Sequence, residues 1–175
     1  AASDVYKRQG IDYLVEACKI LASQDPGLSK QLGVVVFGKQ AEQYASLFPF
    51  PIYPMNYVSN EKELVDIYNA VDLYVTPSLQ DNLPNTIVEA MACGIPCVGF
   101  NVGGIPQMID HLHNGYVAEY QSAKDLANGI RWTLTEGEYD NLSEEACRKA
   151  LSSYSESIIS MRYIDIYNKI TGSHA

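Results

Sequence analysis

The chain has 175 residues, of which 47% are hydrophobic and 19% charged, a composition typical of one globular domain with its own core. Its 12 basic residues stand against 21 acidic ones, and the net charge of −9 argues against a nucleic-acid surface, which needs clustered lysine and arginine. No apolar run approaches the roughly 20 residues that a membrane-spanning helix requires. Because the net charge is negative, local backbone amides would have to hold any anionic ligand.

In chain order, the first half of the sequence alternates helical and extended patterns. Residues 11–24 carry apolar side chains at helical spacing, and the β-branched run at 32–38 is typical of a strand buried on both faces. Between them, residues 25–31 predict a loop. The next predicted elements are a short helix at 41–48, a short strand within 50–58, a helix at 60–70 capped by Asn60, and a strand at 71–77.

The second half continues the alternation. Residues 83–94 predict a helix with Pro84 at its first position and Gly94 just past its end. The elements expected after it are a strand at 96–100, a glycine-rich loop with a short helix at 101–110, a strand within 114–120, and two or three helices up to about residue 170. This pattern predicts an α/β fold, a Rossmann-like parallel sheet with helices on both faces, whose ligands bind at the carboxyl ends of the strands.

The first nine residues, AASDVYKRQ, do not fit this pattern. They show no periodicity and resemble a translated sequencing adapter, so we expect residues 1–9 to be a non-native leader and residues 10–175 to form the domain. The strand that should precede the helix at 11–24 is then missing. In a sheet of order 3-2-1-4-5-6 it would be the central strand, so we expect an N-terminally truncated domain.

The four cysteines do not predict a metal site. Cys18, Cys93, Cys97 and Cys147 lack zinc-type spacing, and the chain has only three histidines. We expect reduced thiols in a cytosolic protein, and no metal or other cofactor.

The segment TPSLQDNLPNTIVEAMACGIPCVGF, at 76–100, contains the main candidates for a binding site. With Pro84 at the first helical position, Asn82 or Leu83 would occupy the N-cap region, and Asn82 has the side chain to cap. The amides of Asn85 and Thr86 would then face the carboxyl end of the strand at 71–77. A helix end of this kind suits an anion such as a diphosphate.

Two carboxylates flank that predicted helix end. Glu89 lies in an otherwise apolar second turn, where a buried carboxylate needs donors and could accept from two adjacent hydroxyls, such as those of a ribose. Asp81, in the preceding loop, could accept from sugar hydroxyls on the other side of the phosphates. The pattern also permits a plainer interpretation, in which Asp81 and Asn82 form a common turn and Glu89 is an ordinary solvated side chain.

Two glycine-containing turns are weaker candidates for contact with the same ligand. Gly103 and Gly104 could form a backbone nest for a phosphate or sugar, or simply a sharp strand-to-helix turn. Gly38 and Lys39 follow a predicted strand and could line the same cleft, or Lys39 could be an exposed turn residue.

The stretch PSLQDNLPNTIVEAMACGIPCVGFNVGGIPQMI resembles the donor-binding signature of retaining nucleotide-sugar glycosyltransferases with the GT-B fold, group 1 or family 4 type. The hallmark of that signature is a glutamate, seven residues and a second glutamate, and Asp81 and Glu89 have this spacing. The resemblance extends from about Gly10 to Tyr167. It departs at Asp81, which is shorter by one methylene, at Gln107, where the family usually has glutamate, and at Gln9, where it has a phosphate-binding lysine.

The resemblance implies that this chain is the C-terminal, donor-binding half of a GT-B enzyme that transfers a hexose from a UDP- or GDP-sugar to a glycan or lipid-linked acceptor. Glu89 would bind ribose hydroxyls and Asp81 the transferred sugar, while Asn82, Leu83 and Pro84 would lie along the diphosphate and sugar. The implied partner is a missing N-terminal acceptor domain, without which the fragment should be inactive. We expect a cytoplasmic protein, with room for peripheral association at the inner face of the membrane through the missing half.

Two other functions stay open on the sequence. A related GT-B enzyme could epimerise a nucleotide sugar, which would require a general base at the sugar. Alternatively, the chain could be a catalytically inactive nucleotide-binding or interaction module with structural carboxylates.

Overall fold

The computed structural model describes residues 9–37, 41–55, 58 and 60–172. The elements, in chain order, are α1 (Ile11–Gln24), α2 (Pro26–Ser29), β1 (Val34–Phe37), a 3₁₀ helix (Ala41–Leu47), β2 (Ile52–Met55), α3 (Glu61–Asn69), β3 (Tyr74–Thr76), α4 (Asn85–Ala92), β4 (Cys97–Phe100), α5 (Ile105–Met108), β5 (Gly115–Ala118), α6 (Ala123–Thr135), α7 (Tyr139–Tyr154) and α8 (Glu156–Thr171). The predicted alternation of strands and helices is confirmed. Across these residues, no helix has both the length and the apolar character needed to cross a membrane.

The predicted loop at 25–31 is wrong in part, because it contains the short helix α2. The carboxylate of Asp25 accepts from the amide of Leu28 at 2.9 Å, and Pro26 stands in the first turn, where its missing N–H costs nothing. The strand predicted at 71–77 is also shorter than expected, since β3 pairs with β4 only through Tyr74, Val75 and Thr76.

All strand pairs in the described residues are parallel, and they form two sheets. One sheet has the order β3-β4-β5, and the other consists of β1 and β2. Register pairs are Tyr74 with Cys97, Cys97 with Gly115, and Val34 with Ile52. The predicted α/β fold of parallel strands with helices on both faces is confirmed, and within the described part of the chain no strand joins β1 to β3.

Helices cover both faces of the larger sheet, and β4 is buried at its centre. Val98 and Phe100 belong to one apolar cluster, with buried side chains from α1 and α6 such as Leu21 and Leu126. Cys97, which points to the opposite face, belongs to a second cluster that includes buried side chains of α3, α4, α5 and α7. This two-sided burial is why the strand reads as a continuous apolar run.

A groove of about 1470 Å³ lies between β1 and β3. Its lining includes side chains of both strands and of α1, among them Val35, Val75 and Leu14. Gly10, just before α1, has φ +66°, and a Cβ there would be 1.9 Å from the carbonyl oxygen of Pro77, so α1 begins beside the carboxyl end of β3. The groove thus lies where the expected central strand would run parallel to β3, and that strand stays a prediction.

Candidate functional site

Helix α4 begins at the carboxyl end of β3 without a side-chain cap. Pro84 is the N-cap, with φ −65° and ψ 120°, so the prediction of Pro84 as the first helical residue is wrong by one position. The predicted cap by Asn82 is also wrong, because Pro84 is the N-cap residue and no side chain caps the helix. The first amides of α4, at Asn85 and Thr86, therefore have neither an intrahelical acceptor nor a side-chain cap.

The loop that carries Asp81 is fixed by the loop after β4. The amide of Gly104 donates to the carbonyl oxygen of Asp81 at 3.3 Å. A Cβ on Gly103 would lie 1.7 Å from that same oxygen, and a Cβ on Gly104 would lie 1.6 Å from the carbonyl oxygen of Asn82. This close approach accounts for both glycines, and it uses the Gly104 amide that a phosphate nest would need.

Glu89 is half-buried and accepts a hydrogen bond from a buried phenol. The hydroxyl of Tyr68, at the end of α3, donates to Oε2 of Glu89 at 3.0 Å. Only 2% of Tyr68 is exposed. Glu89 is therefore not the ordinary solvated side chain of the plainer interpretation, but it does have a protein partner that the sequence pattern did not suggest.

Tyr74 connects the surroundings of both carboxylates. Burial raises the pKa of its phenol to about 12, a hydrogen bond with Thr86 lowers it, and the charges of Glu89 and Asp81 each raise it. Its ring also meets that of Tyr68 edge-on, with centroids 6.1 Å apart. Sequence analysis missed both tyrosines, because their only local signal is an aromatic residue in an apolar helix or strand.

Asp81 and Glu89 lie on different sides of the start of α4. Asp81, Pro84 and Thr86 border the end of the groove between β1 and β3, whereas Glu89 and Leu83 border a separate recess of about 330 Å³. Asn85 borders both cavities. Of the other predicted site residues, Asn82 is exposed and borders neither, and Gly38 and Lys39 lie outside the described residues.

Side-chain cations are scarce around this site. Lys30 is the one cation among the described residues that border either cavity. Three other cations form ion pairs elsewhere, joining Arg131 to Glu136, Arg148 to Glu145 and Lys149 to Asp110. The described residues contain no group of three or more His, Cys, Asp or Glu that could hold a metal, and no histidine among them borders either cavity. Within the described residues, the start of α4 is therefore the main source of positive potential beside Asn85 and Thr86.

Comparison with known proteins gives a consistent family. The family model for glycosyl transferases group 1 matches residues 1–136. An uncharacterized glycosyltransferase of Haemophilus influenzae is 27% identical over 72% of this chain and 36% of its own length. A Campylobacter jejuni protein named N,N'-diacetylbacillosaminyl-diphospho-undecaprenol alpha-1,3-N-acetylgalactosaminyltransferase is 30% identical over 66% of this chain and 31% of its own length. The chain thus spans about a third of these relatives.

Solved structures agree with this fold. The Anabaena protein HepE in complex with UDP-glucose matches 93% of this chain and 46% of its own, with a TM-score of 0.75 and 20% identity. The C-terminal domain of a glycosyl transferase group 1 family protein from Francisella tularensis matches 86% of this chain and 82% of its own, with a TM-score of 0.70 and 18% identity. These likenesses establish a GT-B type fold of parallel strands and helices.

Proposed function

Because this chain belongs to the glycosyl transferases group 1 family, we propose that it is the donor-binding half of a retaining glycosyltransferase of the hexosyltransferase type. The observation that carries this proposal is the uncapped start of α4, with Asp81 on one side and Glu89 on the other, at the carboxyl end of β3. The acceptor would bind to a domain N-terminal to this chain, and turnover would require that domain to close over the donor.

Each part of the site suits one part of a nucleoside diphosphate sugar. The amides of Asn85 and Thr86 would hold the diphosphate, since a helix N-terminus attracts anions. The Glu89 carboxylate would accept from the ribose hydroxyls, and Asp81 from those of the transferred sugar. Asn82, Leu83 and Pro84 would line the path between them. For Gly103 and Gly104 we favour support of the Asp81 loop over direct contact with the donor.

The same arrangement suits the charge that develops during transfer. When the bond between the sugar carbon and the diphosphate oxygen breaks, the diphosphate leaves with both electrons and the sugar becomes oxocarbenium-like. The helix amides would stabilise the leaving diphosphate, and the negative charge of Asp81 would stabilise the developing positive charge on the sugar. No metal is required in this scheme, and we assign no protein nucleophile.

The printed names of similar proteins support the choice of substrates. HepE was solved with UDP-glucose, and a pneumococcal O-GlcNAc transferase with TM-score 0.72 was solved with UDP and GlcNAc. We therefore rank a UDP-sugar ahead of a GDP-sugar as donor. The Campylobacter relative is named for a diphospho-undecaprenol acceptor, which supports a lipid-linked acceptor here and peripheral membrane association through the half outside this chain.

Thermal unfolding with UDP, GDP, ADP and UDP-glucose tests this proposal. A ligand at a hundred times its Kd should stabilise the chain by about 2.7 kcal/mol, which raises Tm by several degrees at this size. We expect one nucleotide to raise Tm, Glu89→Ala to lose the shift, and Glu144→Ala, which removes an exposed carboxylate on α7, to keep it. A cooperative melt that no nucleotide shifts would favour the inactive interaction module instead.

A further inference from the structure

Tyr68 is a buried polar group to which the proposed function gives no role. It lies at the end of α3, and its exposed fraction is 2%. A phenol removed from water needs a hydrogen-bond acceptor, because an unpaired buried hydroxyl destabilises the fold. Two acceptors that its hydroxyl reaches belong to α4, the helix that begins at the candidate site.

Two acceptors compete for the single proton of the Tyr68 hydroxyl. The carbonyl oxygen of Thr86 lies 3.4 Å away, and Oε2 of Glu89 lies 3.0 Å away. The carboxylate is both nearer and charged, so it takes the stronger hydrogen bond. Burial raises the pKa of the Tyr68 phenol, and Tyr74 and Glu89 raise it further, so this phenol keeps its proton and remains a donor.

This bond constrains the Glu89 side chain before any ligand arrives. A glutamate on a helix surface has several rotamers, and ordering one of them on binding lowers the affinity for the ligand. Here a buried donor on a different helix already holds Oε2, while the carboxylate borders the 330 Å³ recess beside Leu83, Asn85 and Val88. Oε1 is the oxygen that this arrangement leaves for a ligand.

We propose that Tyr68 is a positioning residue for Glu89: its hydroxyl holds Oε2 so that Oε1 accepts from a ribose hydroxyl of the donor nucleotide. This inference rests on the proposed donor-binding function. In it Tyr68 does not contact the donor but acts through Glu89. A purely structural role for Tyr68 is the competing explanation, since its ring also packs against Tyr74.

Tyr68→Phe separates the two roles because it removes one oxygen and keeps the ring. We would measure the Kd of UDP, and of a UDP lacking both ribose hydroxyls, for the full chain. Tyr68→Phe should weaken UDP binding about fivefold to tenfold, within the range of one hydrogen bond. It should leave the binding of dideoxy-UDP unchanged within about twofold, and it should add no further loss in a Glu89→Ala background.

Tyr116→Phe provides a matched control. The Tyr116 hydroxyl donates to Oδ1 of Asp125 at 3.1 Å, so this variant loses the same kind of bond away from the site. It should bind UDP as the unmodified chain does.

Each remaining outcome counts against the inference. Equal losses for UDP and dideoxy-UDP, or UDP binding unchanged by Tyr68→Phe, would overturn it while leaving donor binding intact. A Tyr68→Phe chain that no longer melts cooperatively would show that the fold needs the hydroxyl, and would overturn it as well. If the unmodified chain binds no nucleoside diphosphate, the proposed function fails and this inference fails with it.

Discussion

The amide of Gly104 donates to the carbonyl oxygen of Asp81 at 3.3 Å, which joins the loops that follow two neighbouring strands, β3 and β4. The backbone that carries the Asp81 carboxylate is therefore held by a residue that would not itself need to touch a ligand.

Gly104→Ala should destabilise the chain and displace Asp81. Gly104 has φ −91°, which alanine tolerates, so the cost comes from the new Cβ, which would lie 1.6 Å from the carbonyl oxygen of Asn82. Forcing the two loops apart should cost about 2 kcal/mol, or roughly 4–8 °C in Tm. Gly27→Ala is the control, since its Cβ would meet only a side-chain oxygen at 3.3 Å. Equal Tm values for the two variants would contradict this reading of the loop contact.

Asp81→Asn should weaken the binding of a UDP-sugar but not of UDP. The carboxylate is assigned to the sugar, so the sugar-dependent part of the affinity should fall about tenfold, as expected when a charged acceptor becomes neutral. Calorimetry with UDP and with UDP-glucose measures the affinity for the nucleotide and the additional affinity that the sugar contributes. Asp81→Glu, which restores the family's usual residue, should instead change the ranking of different UDP-sugars. A parallel loss for UDP itself would place Asp81 at the diphosphate or in the fold.

Gln9→Lys should strengthen nucleotide binding. Gln9 borders the groove and stands where the resembling family has a phosphate-binding lysine. A cation there would add a charge-assisted contact to a diphosphate, and we expect about tenfold tighter UDP binding that weakens with added salt. Gln31→Lys adds the same charge elsewhere on the groove lining and should change the affinity little. Equal gains from the two variants would indicate a general field effect.

Cys18→Ala should make the free energy of unfolding fall less steeply with rising pH in the alkaline range. Burial raises the pKa of the Cys18 thiol from 9.0 to about 12, so between these pH values the unfolded chain releases a proton that the folded chain keeps. The stabilisation from this thiol is complete below pH 9 and falls by about 1.4 kcal/mol per pH unit above it.

Urea unfolding at several pH values from 8 to 11 measures that slope directly. Cys18→Ala should make that slope shallower by the contribution of one titrating thiol, about 1.4 kcal/mol per pH unit. This change in slope is independent of any loss of stability from the cavity that the substitution leaves. Cys147→Ala removes a half-buried thiol on α7 and serves as the comparison. Identical slopes in all three proteins would rule out the assigned cause.

Local sequence patterns predicted the helices and strands well where one side of an element is buried. The range 11–24 agrees with α1, because Val15, Cys18 and Leu21 recur at helical spacing and all three are buried in the structure. The start of α4 was predicted one residue early, because proline fixes φ at its position but leaves ψ free to be extended.

The supporting contacts of the site could not be predicted, because they join residues far apart in the chain. Tyr68 and Glu89 are 21 residues apart, and nothing in either local pattern indicates the other. The glycine pair at 103–104 is visible in the sequence, but its close approach to the Asp81 loop depends on two strands being neighbours.

The groove between the sheets has a consequence for the behaviour of this chain in solution. Among the described residues, β1 and β3 each have a strand partner on one side only, and both consist of β-branched and aromatic residues without charge or proline. Unpaired strand edges of this composition are templates for pairing with another molecule. We expect the purified chain to self-associate as its concentration rises, which sedimentation velocity would detect. A segment that fills the groove would then act as a solubility device as well as a part of the sheet.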